Sequence, residues 1–128
     1  MLLAIDTSSL VLSCALAEKD RLVAEWTVQK RLTHSEQLIP HLDAMMKEAG
    51  VSKEDITAIA VSIGPGSFTG LRIGLATAKM AAYIWKVPIV GVDTLESLAR
   101  NMEGARGFHP AARGCPAGPC LCGALRGF

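Results

Sequence analysis

The chain has no apolar run near the ~20 residues that a membrane-spanning helix requires, although half of its 128 residues are hydrophobic. Its opening, MLLAIDTSS, has no basic stretch and already contains an acid, so it does not read as a signal peptide. Net charge is nearly absent as well. Thirteen Lys and Arg against twelve Asp and Glu leave +1, which offers no bulk electrostatic affinity for nucleic acid or membrane. No internal repeat or heptad array is present. Cysteines number four, and three of them (Cys115, Cys120, Cys122) crowd into the final RGCPAGPCLCGALRGF. A cytoplasmic location is therefore expected, where structural disulfides are rare.

What is present divides in two. Residues 1–102 hold almost all the acids, most of the Ile, Leu and Val, and clear periodic patterns. Residues 103–128 are rich in Gly, Pro, Cys, Ala and Arg, with one acid (Glu103) and no β-branched residue. The length suits one domain or one lobe of something larger.

Along the first part, MLLAIDT (1–7) reads as a buried strand. Residues 10–29 read as two strands folded at Lys19-Asp20, with Leu22, Ala24, Trp26 and Val28 sharing a face. A helix is expected over 33–50, capped by Thr33 or Ser35 and stopped at Gly50. Leu38, Leu42, Met45 and Ala49 form one apolar stripe on it, and Pro40 predicts a kink or a late start. A strand at 57–63, a helix at 65–86, a strand at 87–94 and a third helix from Leu95 follow. The order βββαβαβ with parallel crossovers is an α/β layer fold.

The strongest local feature is SIGPGSFTGLRIG (62–74). A strand enters Gly64-Pro65-Gly66 and leaves as a helix capped by Ser67 or Thr69. One reading is a loop for a phosphate or other anion at a helix N-terminus. The other is a tight connection that needs glycine for geometry alone. The Walker and G-x-G-x-x-G patterns are both absent. Asp6 and Thr7, at the end of the first strand, occupy the place where an acid approaches metal and phosphates in nucleotide-binding folds of this topology, although Asp-Thr-Ser alone is also a common strand end.

Gly70, Gly74, Ala78 and Ala82 stand four apart and form one smooth ridge on the second helix. Two glycines inside a helix each cost about 0.5–1 kcal/mol relative to Ala, so close packing should compensate. The ridge can face this domain's own sheet or a partner helix, with Met45 and Met46 as adaptable contacts. His34, His41 and His109 form no ligand constellation, and Cys14 reads as a core residue.

The runs LAIDTSS (3–9), THSEQLIPHLDAMM (33–46), SIGPGSFTGLRIGLATAK (62–79) and GVDTLESLA (91–99) together resemble the TsaB (YeaZ) family over residues 1–102. The resemblance implies an actin-like/ribonuclease H-like lobe with a mixed sheet and flanking helices. It also implies a non-catalytic scaffold in bacterial N6-threonylcarbamoyladenosine modification of tRNA adenosine 37. In that system the related TsaD performs the transfer from threonylcarbamoyl-adenylate, and TsaE is the ATPase partner. ATP and a metal then belong to the complex rather than to this chain, tRNA is met only through the complex, and no membrane is involved. Pairing with TsaD, or with a second copy, is implied through the two helices, by Leu38, Leu42, Met45, Met46, Gly70, Gly74, Ala78 and Ala82. The family's motif loop corresponds to Asp6, Thr7, Gly64, Pro65, Gly66, Ser67 and Thr69.

TsaD-type proteins carry a His-x-x-x-His metal motif after the fifth strand. The matching run here is Val92-Asp93-Thr94-Leu95-Glu96-Ser97-Leu98, where Thr94 and Leu98 stand at the two histidine places and neither replaces an imidazole. Competing readings are an ATP-dependent phosphotransferase or glycoprotease-like enzyme of the same fold, and a general oligomerisation module.

For 103–128, the spacing of the three cysteines fits no zinc pattern. An encoding of residues 114–128 exists whose next frame reads DARRDRVYAALYEG, similar to the strand that follows this lobe in the family. The expectation is an out-of-frame tail with the second lobe missing, disordered or poorly packed. A single open frame through Phe128 at the locus would overturn it.

Overall fold

The computed structural model describes the backbone of residues 1–19, 21–29, 34–100, 109–113 and 121–125, and the side chains of 1–19, 21–29 and 38–100. Strands β1 (Leu2–Asp6), β2 (Val11–Glu18) and β3 (Arg21–Gln29) open the chain as an antiparallel meander. Helix α1 (His34–Glu48), a single 3-10 turn at Lys53–Asp55, strand β4 (Ala58–Gly64), helix α2 (Phe68–Trp85), strand β5 (Ile89–Asp93) and helix α3 (Thr94–Arg100) follow. The five strands form one mixed sheet in the order β3-β2-β1-β4-β5, with β1, β4 and β5 parallel. This is the α/β, actin-like/ribonuclease H-like arrangement expected from the sequence.

Strand alternation builds the core. Leu3 and Ile5 of β1, Leu12, Cys14 and Leu16 of β2, and Ile59 and Val61 of β4 are buried on one face. Leu38, Leu42, Met45 and Met46 of α1 and Ala78 and Ala82 of α2 complete that cluster. Each large aliphatic side chain so buried contributes about 1.5–3 kcal/mol. β4 is buried at most positions because it lies between two strands and beneath α2.

α1 runs through Pro40. Gly50 ends it in the left-handed region at φ +64°, as a C-terminal glycine should. Thr33 and Asp20, expected as cap and turn residues, lie outside the described residues, and so do the side chains of His34 and Ser35. One correction falls on β3. The pairing slips between Leu16 and Ala17, so that Leu16 faces Ala24 but Ala17 faces Leu22. This bulge turns Leu22 off the face of Ala24, Trp26 and Val28 and leaves it 56% exposed.

Within 103–128 the described residues are two short strands. Strands β6 (His109–Arg113) and β7 (Leu121–Leu125) pair antiparallel as a separate two-stranded sheet, and β6 lies beside α3. Composition argued against order here, but a backbone ladder requires no particular side chain. Cys122 lies on β7; Cys115 and Cys120 lie outside the described residues.

Candidate functional site

The motif residues converge where β1 ends and α2 begins. Asp6 closes its own turn, its Oδ1 accepting from the Ser8 N–H at 2.8 Å. The Ser67 N–H donates to the Ser8 carbonyl at 2.7 Å, so the two loops cross in contact. Ser67 is the N-cap of α2, and its Oγ accepts from the Gly70 N–H at 3.3 Å. Thr69 is exposed on the first turn. Gly64 adopts φ +113° ahead of Pro65, a conformation that a side chain would strain. Thr7 is fully buried.

The small-residue ridge points inward. A Cβ at Gly66 would overlap the Ser8 carbonyl, one at Gly70 the Thr7 carbonyl oxygen, and one at Gly74 the Thr7 hydroxyl. Ala78 and Ala82 are buried against the sheet. The expected interface set therefore requires correction. Leu38, Leu42, Met45, Met46, Gly70, Gly74, Ala78 and Ala82 are all buried inside this chain and cannot be offered to a partner while the lobe is folded. The glycines are compensated by close approach to β1, within the domain.

With its small residues turned inward, α2 must turn its large ones out. Phe68 is 74% exposed, Met80 61%, Tyr83 83% and Ile84 62%. Phe68, Arg72, Lys79 and Tyr83 stand at i, i+4, i+11 and i+15, on one stripe. Arg72 lies over the Phe68 ring, Cζ 5.4 Å from its centroid, an exposed cation–π pair. Ala76, also exposed, is the small residue on this face. On α1, Ile39 is 63% exposed. The signal for these residues was already in the sequence: the period that aligns the small positions sets the large ones on the opposite side.

The two positions compared with the transferase's metal motif lie at the end of β5 and on α3. The Thr94 and Ser62 hydroxyls bond each other at 2.8 Å, both buried, and Asp93 Oδ1 accepts from the N–H groups of Leu95 and Glu96. Leu98 is 41% exposed. Neither Thr94 nor Leu98 offers the imidazole that the transferase's motif has at these two places. Cys14 is buried in β2, and burial pushes its thiol up to about 11, which makes it unreactive.

A third arrangement joins β3 to α1. The Trp26 and His41 rings meet edge to face, centroids 4.0 Å apart at 65°. His41 Nε2 is buried without a hydrogen-bond partner among the described residues.

Comparison with known proteins adds the following. The family model described as TsaD, tRNA N6-adenosine threonylcarbamoyltransferase, matches residues 28–116. The chain is 38% identical over 100 residues to the tRNA threonylcarbamoyladenosine biosynthesis protein TsaB of Bacillus subtilis (strain 168), covering 78% of this chain and 44% of that protein. It is 36% identical over 100 residues to the Escherichia coli (strain K12) protein of the same name, covering 78% of this chain and 43% of that protein. Among solved structures, YeaZ from Pseudomonas aeruginosa superposes with a TM-score of 0.85 at 30% identity, over 98% of this chain and 60% of that one. The chain thus spans less than half the length of those two curated relatives.

Proposed function

The chain belongs to the TsaB/YeaZ family, over the part of the family's length that it spans, and from that premise we propose that it is a non-catalytic scaffold in the biosynthesis of N6-threonylcarbamoyladenosine at tRNA position 37. In this reading it docks a TsaD-type transferase, with TsaE in the same assembly, and tRNA is bound only by the assembly. ATP and the metal are handled by the partners, while Thr94 and Leu98 leave this lobe without the ligands for the transferase's metal.

One observation carries the docking reading. α2 exposes Phe68, Met80, Tyr83 and Ile84 along one face, on a helix whose other side is locked to β1 and the sheet. Large apolar side chains gathered on one exposed face mark an interaction surface more often than scattered ones do.

The test is co-purification of the chain with the TsaD-type transferase of its own organism. Ala76→Trp places a bulky ring on the exposed face without touching the core, so it should abolish binding while leaving the circular dichroism unchanged. Unaltered binding by a folded Ala76→Trp chain would reject α2 as the docking face. ATP hydrolysis or threonylcarbamoyl transfer by the isolated chain would favour an enzyme, the phosphotransferase alternative first.

A further inference from the structure

At the edge of the sheet farthest from β5, strand β3 borders a groove. β3 stands last in the strand order and, among the described residues, pairs only with β2. Residues 23–26 of this edge line a cavity of about 370 Å³, whose other wall is Met45, Glu48 and Ala49 of α1. Pockets that take ligands run roughly 300–1,000 Å³, so the space is large enough for an occupant.

Two kinds of group meet there. Alternate residues of an edge strand turn their N–H and C=O groups away from the sheet. Outside β2, no main-chain group of residues 23–26 has a hydrogen-bond partner among the described residues. Across the groove, Met45, Glu48 and Ala49 stand at i, i+3 and i+4 and so share one face of α1. Met45 is buried, and Ala24 and Trp26 pack against the same core, so this part of the groove is apolar. Glu48 is exposed and has no cationic partner among the described residues, whereas Asp43 on the same helix binds Lys47 at 2.6 Å.

The edge is open along this stretch. Edge strands are commonly blunted by charge, proline or a bulge. The bulge of β3 lies near its start, where Val23 falls between the pairs Leu16–Ala24 and Ala17–Leu22, and from Ala24 to Gln29 the pairing is regular. Glu25 alternates to the other face of the sheet, where its carboxylate accepts from the Thr27 hydroxyl at 3.3 Å.

We propose that the groove between β3 and α1 binds an extended peptide segment, which adds to β3 as a strand from Ala24 onward. It sets one apolar side chain against Trp26 and Met45 and, two residues along, a Lys or Arg against Glu48. The free main-chain groups select an extended backbone, because only a strand meets them in succession, and the side chains that alternate toward α1 supply the selectivity. The unpaired carboxylate decides the charge of the second side chain.

The experiment pans a display library of short random peptides on the full chain and, in parallel, on Glu48→Lys, a substitution at an exposed position. Wild type should enrich sequences with an apolar residue two places from Lys or Arg, and Glu48→Lys should enrich Asp or Glu at the second place. By fluorescence anisotropy, the best wild-type peptide should bind Glu48→Lys about tenfold more weakly. Methylating alternate main-chain nitrogens of that peptide should abolish binding in one of the two alternating sets and spare the other, since a strand turns only one set toward β3. An equal effect of the two sets would overturn strand addition. No enrichment over the bare support, or the same sequences from both chains, would overturn the site.

Discussion

The Thr7 hydroxyl donates a 2.8 Å hydrogen bond to the Gly70 carbonyl, tying the end of β1 to the first turn of α2. The contact is that close because Gly70 and Gly74 have no side chain, and added Cβ atoms would overlap Thr7 at both positions. Thr7 is thus a spacer that sets the height of α2 over the sheet and, through it, the orientation of the outward face.

Gly74→Ala should destabilise the lobe by about 1–3 kcal/mol through overpacking, despite a gain of about 1 kcal/mol in helix propensity. Thr7→Ala removes the hydroxyl that the new methyl strikes, so the double variant should be more stable than Gly74→Ala alone. Gly70→Ala meets a backbone oxygen instead and should not be rescued. Urea unfolding of the four variants reads this directly; additive effects for the Thr7/Gly74 pair would contradict the contact.

His41 buries an Nε2 that has no hydrogen-bond partner among the described residues, with its ring against Trp26. His41→Phe keeps an edge-to-face ring pair and removes the unsatisfied nitrogen, so stability should rise by about 1 kcal/mol. The unfolding midpoint followed by tryptophan fluorescence measures it. A lower midpoint would mean that the nitrogen is satisfied in solution.

Burial raises the Cys14 thiol from 9.0 to about 11. The folded state therefore favours the protonated thiol, while the unfolded chain releases its proton nearer pH 9. Stability from this group is intact below about 9 and is lost as pH rises from about 9 toward about 11. Cys14→Ala should be less stable at neutral pH because of the cavity, yet show a shallower decline over that window. Parallel declines would exclude the thiol as the cause.

Asp55 works in the opposite direction. The Ser52 N–H and hydroxyl both donate to its Oδ2, at 2.9 and 2.8 Å, and hold its carboxyl below the ordinary 3.8. Its stabilisation is present above that value and fades as pH falls through the lowered one. Asp55→Asn should unfold earlier than wild type at neutral pH and converge with it in acid. A constant gap across the acid titration would count against the Ser52 bonds.

Much of the lobe was legible from local pattern. Alternation marked β2, the 3.6-residue period marked α1 and α2, and Gly50 marked the end of α1, because each depends on short-range geometry. Leu22 was misplaced because a bulge is set by strand pairing, and no residue in KDRLVAEW announces it. The strands at 109–113 and 121–125 escaped for a related reason. Their ladder is made of backbone groups, and their side chains carry weak strand propensity.

The small ridge of α2 shows the limit most plainly. The spacing of Gly70, Gly74, Ala78 and Ala82 determined by itself that these four residues share a face and that something must approach it closely. Which surface approaches was not in the spacing, since a sheet and a partner helix both reward an absent side chain. Only the tertiary structure decided. Thr7, more than sixty residues earlier in the chain, is brought against the ridge by the parallel pairing of β1 with β4. With the ridge buried there, Phe68, Arg72, Ala76, Lys79, Met80 and Tyr83 become the face that α2 turns to solvent.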